Sequence, residues 1–152
     1  NASIPVVAHL GMTPQSVNTL GGFKVQGKTA EAARKLLEDA KAVEEAGAFA
    51  LVMECVPAKL AALVTKTLHI PTIGIGAGAG CDGQVLVYQD MLGMFMDYQP
   101  KFVRKFAEVG KTMQDAFVTY RNEIQAGNFP AEEHSFAISD EVMAQLEQEA
   151  QA

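Results

Sequence analysis

Phe49-Ala50-Leu51-Val52-Met53-Glu54-Cys55-Val56-Pro57 is apolar throughout except for one carboxylate. Helical patterns flank it on both sides. Upstream, Ala33, Leu36, Leu37, Ala40 and Val43 recur at helical spacing behind a capping Thr29, and Gly47 ends the run. Glu31 and Lys35 are spaced for an i,i+4 pair. Downstream, Pro57 opens a second helix with Leu60, Leu63, Val64 and Leu68 on one face. A near-continuous apolar run between helices is the pattern of a parallel strand buried on both faces. The stretch therefore predicts an α/β fold.

Further out the alternation continues. Ile4 to Leu10 reads as a strand closing on His9-Leu10-Gly11, and Thr13-Pro14 starts a short helix. Gly21, Gly22 and Gly27 punctuate a loop carrying Phe23, Lys24 and Gln26. Ile70 to Gly76 reads as a third strand, and Gln84 to Tyr88 as a fourth, although Met91 and Leu92 also suit a helix. Pro100 to Ala126 predicts a helix presenting Phe102, Phe106, Val109, Met113, Phe117, Tyr120 and Ile124, with Gly110 as a break. Ser139 caps a last helix reaching about Gln148. Strand and helix in alternation imply a parallel sheet with helical crossovers.

Length and composition narrow the function classes. The chain has 152 residues, enough for one domain with a real core. Hydrophobic residues make up 49% and charged residues 20%, a globular composition. A net charge of -6 without a basic stripe argues against nucleic acid as a partner. No apolar stretch approaches the roughly 20 residues of a membrane span. Cys55 and Cys81 make neither a disulfide framework nor a zinc site, so reduced thiols and the cytoplasm are expected. The chain starts Asn1-Ala2-Ser3-Ile4-Pro5 without methionine, and a processed or truncated chain is the expectation.

Glu54 carries the chemistry. Taking a carboxylate out of water costs several kcal/mol unless it is paired or its pKa rises. Either Glu54 is a poised acid, base or ligand, or the strand has reached solvent at its end. Ala50, Val52 and Glu54 share one face, which would point inward in a barrel, and Leu51 and Met53 share the other. Glu54 and His9 both close their strands, where catalytic groups of such folds gather. His9 is either a ligand contact or a core histidine satisfied by backbone.

Other motifs are weaker. Gly74-Ile75-Gly76-Ala77-Gly78-Ala79 fits a loose dinucleotide fingerprint, but Cys81-Asp82-Gly83 follows rather than a helix start. A glycine-rich turn making backbone room for a substrate or a packed neighbour is the better reading. Lys24 either closes over an anionic substrate or is solvated. Glu132-Glu133-His134 has metal-ligand residue types without a second cluster, and a solvated or capping segment is expected.

Together these motifs resemble the C-terminal half of the ketopantoate hydroxymethyltransferase family. The resemblance rests on Ala8-His9-Leu10-Gly11-Met12-Thr13-Pro14-Gln15-Ser16, Gly21-Gly22-Phe23-Lys24-Val25-Gln26-Gly27, Met53-Glu54-Cys55-Val56-Pro57 and Ile73-Gly74-Ile75-Gly76-Ala77-Gly78. Cys81-Asp82-Gly83-Gln84-Val85-Leu86-Val87 and Pro130-Ala131-Glu132-Glu133-His134-Ser135-Phe136 extend it to about Ile4 to Phe136. It implies a (β/α)8 TIM barrel of the phosphoenolpyruvate-utilising type. Residues 1–138 would form its C-terminal half, about the last four β/α units plus helices, and residues 139–152 a helical extension. It implies transfer of a one-carbon unit from 5,10-methylenetetrahydrofolate to 3-methyl-2-oxobutanoate, giving 2-dehydropantoate for pantothenate biosynthesis. Glu54 matches the family's proton acceptor, and His9 a histidine that contacts substrate. The family uses Mg2+, is cytoplasmic and forms homo-oligomers, typically decamers. Its metal ligands and substrate lysine match no position here, Asp82 and Asp90 included, so they are expected in an N-terminal half. The alternatives are a barrel fragment active only with that half, and another 2-oxo-acid lyase of the same superfamily.

Overall fold

The computed structural model describes residues 3–19 and 21–150. Asn1 and Ala2 lie outside the described residues. The chain divides into two compact units, Asn1–Ala107 and Glu108–Ala152.

In the first unit the described residues form one parallel sheet of four strands in chain order: β1 (Val7–Gly11), β2 (Ala50–Glu54), β3 (Thr72–Ile75) and β4 (Gly83–Gln84). Helix α1 (Ala30–Glu45) joins β1 to β2, and α2 (Ala58–Thr67) joins β2 to β3. The Thr29 hydroxyl accepts a bond from the Ala32 N–H at 3.2 Å, capping one of the open N–H groups of α1. Gly47 takes a positive φ of 96° just past its end.

The alternation read from the sequence sets the layers. Leu51 and Met53 are fully buried and pack with Leu36, Ala40, Ala61 and Val64 of the two helices. Burying each such leucine or methionine is worth roughly 1.5–3 kcal/mol. Ala8 and Leu10 of β1 join the same layer. Val7, Val52, Glu54 and Ile75 alternate with these and occupy the opposite face.

The structure departs from the sequence pattern in several places. The first strand begins at Val7 rather than Ile4. The fourth is only Gly83–Gln84, and a single-turn α3 (Tyr88–Met91) follows it. No helix separates β3 from β4: residues 76–82 make that parallel crossover as a glycine-rich loop. It is short enough because it lies directly on α2. A Cβ on Gly80 would stand 2.6 Å from the Ala62 Cβ, and one on Gly78 would overlap Ala58. Helix α4 (Val109–Gln125) covers only part of the segment from Pro100. Before it, backbone groups are engaged elsewhere: the Phe106 N–H donates to the Met91 carbonyl at 2.8 Å, and the Phe102 ring lies against Gly76. Gly110 is a buried residue in the first turn of α4, not a break. Lys35 pairs with Asp39 instead of Glu31.

The second unit holds α4 and α5 (Asp140–Glu149), with Ser139 capping α5 as expected. The α4 residues Phe117, Tyr120 and Ile124 are exposed.

Candidate active site

Glu54 ends β2, and its register partners are Gly11 on β1 and Ile75 on β3. His9 pairs with Val52, two residues earlier on the same face. Its Nε2 lies 3.2 Å from Glu54 Oε2, with the Glu54 side chain 13% exposed and that of His9 32%. The contact is off the line of a hydrogen bond, so the buried His9 Nε2 has no hydrogen-bond partner among the described residues. A buried nitrogen left in that state beside a carboxylate is a candidate ligand contact. The parallel register alone brings the two groups together.

Backbone detail at the strand ends holds Glu54 in place. Gly11 has φ 94°, and a Cβ there would overlap the Glu54 carbonyl and reach within 2.8 Å of Val56 Cγ2. The chain after β1 turns across β2, so that the Met12 N–H donates to the Glu54 carbonyl at 2.9 Å. Cys55 has φ 51°, a left-handed conformation that costs a residue with a Cβ of order 1 kcal/mol. Two bonds hold it there: the Cys55 N–H donates to the Ile75 carbonyl, and the Cys55 carbonyl accepts from the Gln26 N–H, each at 2.9 Å. The second also fastens the Gly21–Gly27 loop beside Glu54. Nothing in the residue pattern marked Gly11 or Cys55, because both depend on how the strand ends cross.

Burial pushes the Glu54 carboxyl above its ordinary range, and the charge of His9 partly offsets this. Burial raises the Cys55 thiol as well, and the Glu54 charge raises it further. A shielded carboxylate with an elevated pKa, once ionised, is a stronger proton acceptor than one in water.

The other singled-out residues divide clearly. Lys24 is exposed in its loop, and Phe23 beside it is 79% exposed. Gln26 Nε2 donates to the Lys24 carbonyl at 2.8 Å. The 74–79 segment runs from β3 into the crossover loop described above, so its glycines make room for Phe102 and Ala58. Glu132–His134 is a 3-10 turn in which His134 Nδ1 accepts from the Ala131 N–H at 3.1 Å, a capping role. Asp90 lies in α3. Asp82 serves the fold. Its carboxylate accepts from the Thr72 N–H at 2.8 Å and the Thr72 hydroxyl at 3.0 Å, tying the crossover loop to the start of β3. Those bonds hold its pKa below the ordinary value. Cys55 and Cys81 are free thiols.

Among the described residues no three His, Cys, Asp or Glu side chains gather to hold a metal ion. Among the described residues no helix is long and apolar enough to cross a membrane.

A family model described as ketopantoate hydroxymethyltransferase matches residues 1–132. The chain is 67% identical over 146 residues to the 3-methyl-2-oxobutanoate hydroxymethyltransferase of Clostridium novyi, covering 96% of this chain and 53% of that protein. It is 64% identical over 145 residues to the enzyme of that name from Enterococcus faecalis, covering 95% and 53%. Against the one from Clostridioides difficile it is 59% identical over 146 residues, covering 96% and 53%. The chain spans about half the length of the curated relatives it matches.

Proposed function

The chain belongs to the ketopantoate hydroxymethyltransferase family, and from that premise we propose that it supplies the general base of a 3-methyl-2-oxobutanoate hydroxymethyltransferase. The observation that supports this most directly is Glu54: a carboxylate at a strand end, mostly buried, in contact with His9. In this reading the protein transfers a one-carbon unit from 5,10-methylenetetrahydrofolate to 3-methyl-2-oxobutanoate and yields 2-dehydropantoate for pantothenate biosynthesis.

Ionised Glu54 accepts the proton from C3 of the 2-oxo acid. The electron pair of that C–H bond becomes the enolate. The enolate carbon then bonds to the methylene carbon of the donor. Over the whole reaction both bonds from that carbon to folate nitrogens break, water supplies the hydroxyl oxygen, and the two nitrogens take up the proton that Glu54 removed and one proton of that water. Shielding from water raises the proton affinity of Glu54, and the strand-end bonds through Gly11 and Cys55 hold it still. The charge of His9 favours the ionised form of Glu54, and its Nε2, without a hydrogen-bond partner among the described residues, is offered to substrate.

We read the sheet as one arc of a (β/α)8 barrel of the phosphoenolpyruvate-utilising type, with residues 139–152 as its helical extension. The parallel strands and the helices against one face support this. The family's Mg2+ would polarise the 2-oxo group, and its ligands belong to the part of the barrel outside this chain. Homo-oligomeric assembly, as a decamer, and a cytoplasmic setting are carried with the same reading.

Exchange of the C3 hydrogen of 3-methyl-2-oxobutanoate for deuterium tests the assignment, because it reads the base without the donor. The whole enzyme should exchange this hydrogen, and Glu54→Gln should not. The 152 residues alone should neither exchange nor turn over, and adding the remainder of the barrel should restore both. Full activity of the 152 residues by themselves would refute the divided site.

A further inference from the structure

One cleft of about 620 Å³ opens just beyond the ends of β2 and β3. That volume is in the range of small-molecule sites. Its lining includes Cys55, Gly76, Gly78, Gln84, Lys101 and Phe102. Glu54 and Ile75 are register partners, so the next residue on each strand, Cys55 and Gly76, already lines the cleft. The cleft therefore starts one residue past the base.

Two further observations mark it as a binding place. First, Cys55 keeps a φ of 51°, where glycine would be unstrained. Such strain clusters where a site over-determines the backbone. Second, the chemistry of the lining is two-sided. The walls are apolar or flat, with the Phe102 ring seated against Gly76. Gln84 Nε2 is fixed by donating to the Gly78 carbonyl at 2.9 Å. Lys101 supplies a cation, and among the described residues no carboxylate lines the cleft with it. A planar heteroaromatic body with an anionic tail matches that arrangement, and the 2-oxo acid alone is too small for it.

We propose that this cleft seats the reduced-folate donor, with its ring system against the Phe102 wall and its glutamate carboxylates at Lys101. The assignment rests on the hydroxymethyl transfer proposed above. It places the donor beside the residue that generates the enolate.

The test uses the whole enzyme with Lys101→Ala, Lys101→Glu, and Lys66→Glu as a charge control on α2, away from the cleft lining. KM is measured for each substrate, and tetrahydrofolate binding is measured by calorimetry without the 2-oxo acid. Lys101→Ala should raise the KM for methylenetetrahydrofolate about 2- to 5-fold, the size of one exposed ion pair. Lys101→Glu should raise it about 10-fold, weaken tetrahydrofolate binding in proportion, and shift the KM for 3-methyl-2-oxobutanoate far less. Lys66→Glu should match the unaltered enzyme. A second arm fills the cleft with Val85→Trp on its exposed wall and should abolish tetrahydrofolate binding. The proposal is overturned if both Lys101 variants keep the folate KM and tetrahydrofolate affinity within about twofold, well short of the roughly tenfold change expected of the charge reversal, or if folded Val85→Trp still binds tetrahydrofolate. Failure of the underlying functional reading looks different: the unaltered enzyme would then show no transfer at all.

Discussion

Glutamine at position 54 keeps the size of the side chain and removes its ability to accept a proton. A positioned general base contributes about 10²- to 10⁴-fold to a rate, or roughly 3 to 5 kcal/mol at about 1.36 kcal/mol per decade. Glu54 belongs toward the upper part of that range, because burial raises its proton affinity. We expect Glu54→Gln to slow C3 deuterium exchange about 10³- to 10⁴-fold in the whole enzyme. The pH dependence follows from the same shift. The base works only when ionised, so exchange should rise with pH through an ionisation above the ordinary carboxyl value of 4.5. Stability runs the other way. With the folded pKa above the unfolded one, the folded state holds the extra proton between the two values, and stability falls as pH rises through that window. Glu54→Gln should flatten this fall in urea titrations followed by circular dichroism. Exchange by proton NMR is the deciding assay. A variant retaining more than about a tenth of the unaltered rate would remove Glu54 from the base role, since no positioned base contributes so little.

Other perturbations probe the surroundings. His9→Asn removes the charge that lowers Glu54, so the rising limb of exchange should move to higher pH, and an unmoved limb would contradict that coupling. Thr72→Val should destabilise the protein by about 1–3 kcal/mol in urea, because it strips a buried hydroxyl from the Asp82 carboxylate. Asp82 itself has a lowered folded pKa, so its contribution holds above the ordinary value and fades as pH falls toward the folded one. Asp82→Asn should remove that acid limb from the stability profile. Gly78→Ala should cost clearly more than Gly47→Ala: both have positive φ, but only Gly78 would run into Ala58. Equal urea midpoints for the two would refute the packing account of the crossover loop.

Much of this was legible in the residue pattern. The apolar run from Phe49, the helical stripe before it and the Thr29 cap specify a buried parallel strand between helices, because burial and capping are local demands. The period of two in β2 put Leu51 and Met53 on the helix side and Glu54 opposite, as found. The 100–108 segment departs from its helical spacing because that spacing reports amphipathicity, not where the backbone bonds go, and Phe106 bonds to Met91. The lack of a helix between β3 and β4 has the same origin: the glycines of residues 76–82 could not disclose that Ala58 and Ala62 lay beneath them.

By itself the sequence determined the strand and helix types, the two faces of β2, and an awkward carboxylate at a strand end. Only the tertiary structure decided that His9 meets it at 3.2 Å, that Gly11 and the strained Cys55 hold it, and that a cleft opens one residue beyond. The physical reason is the range of the forces. Periodicity and capping act within a few residues, whereas the Glu54 site depends on the register of strands more than forty positions apart.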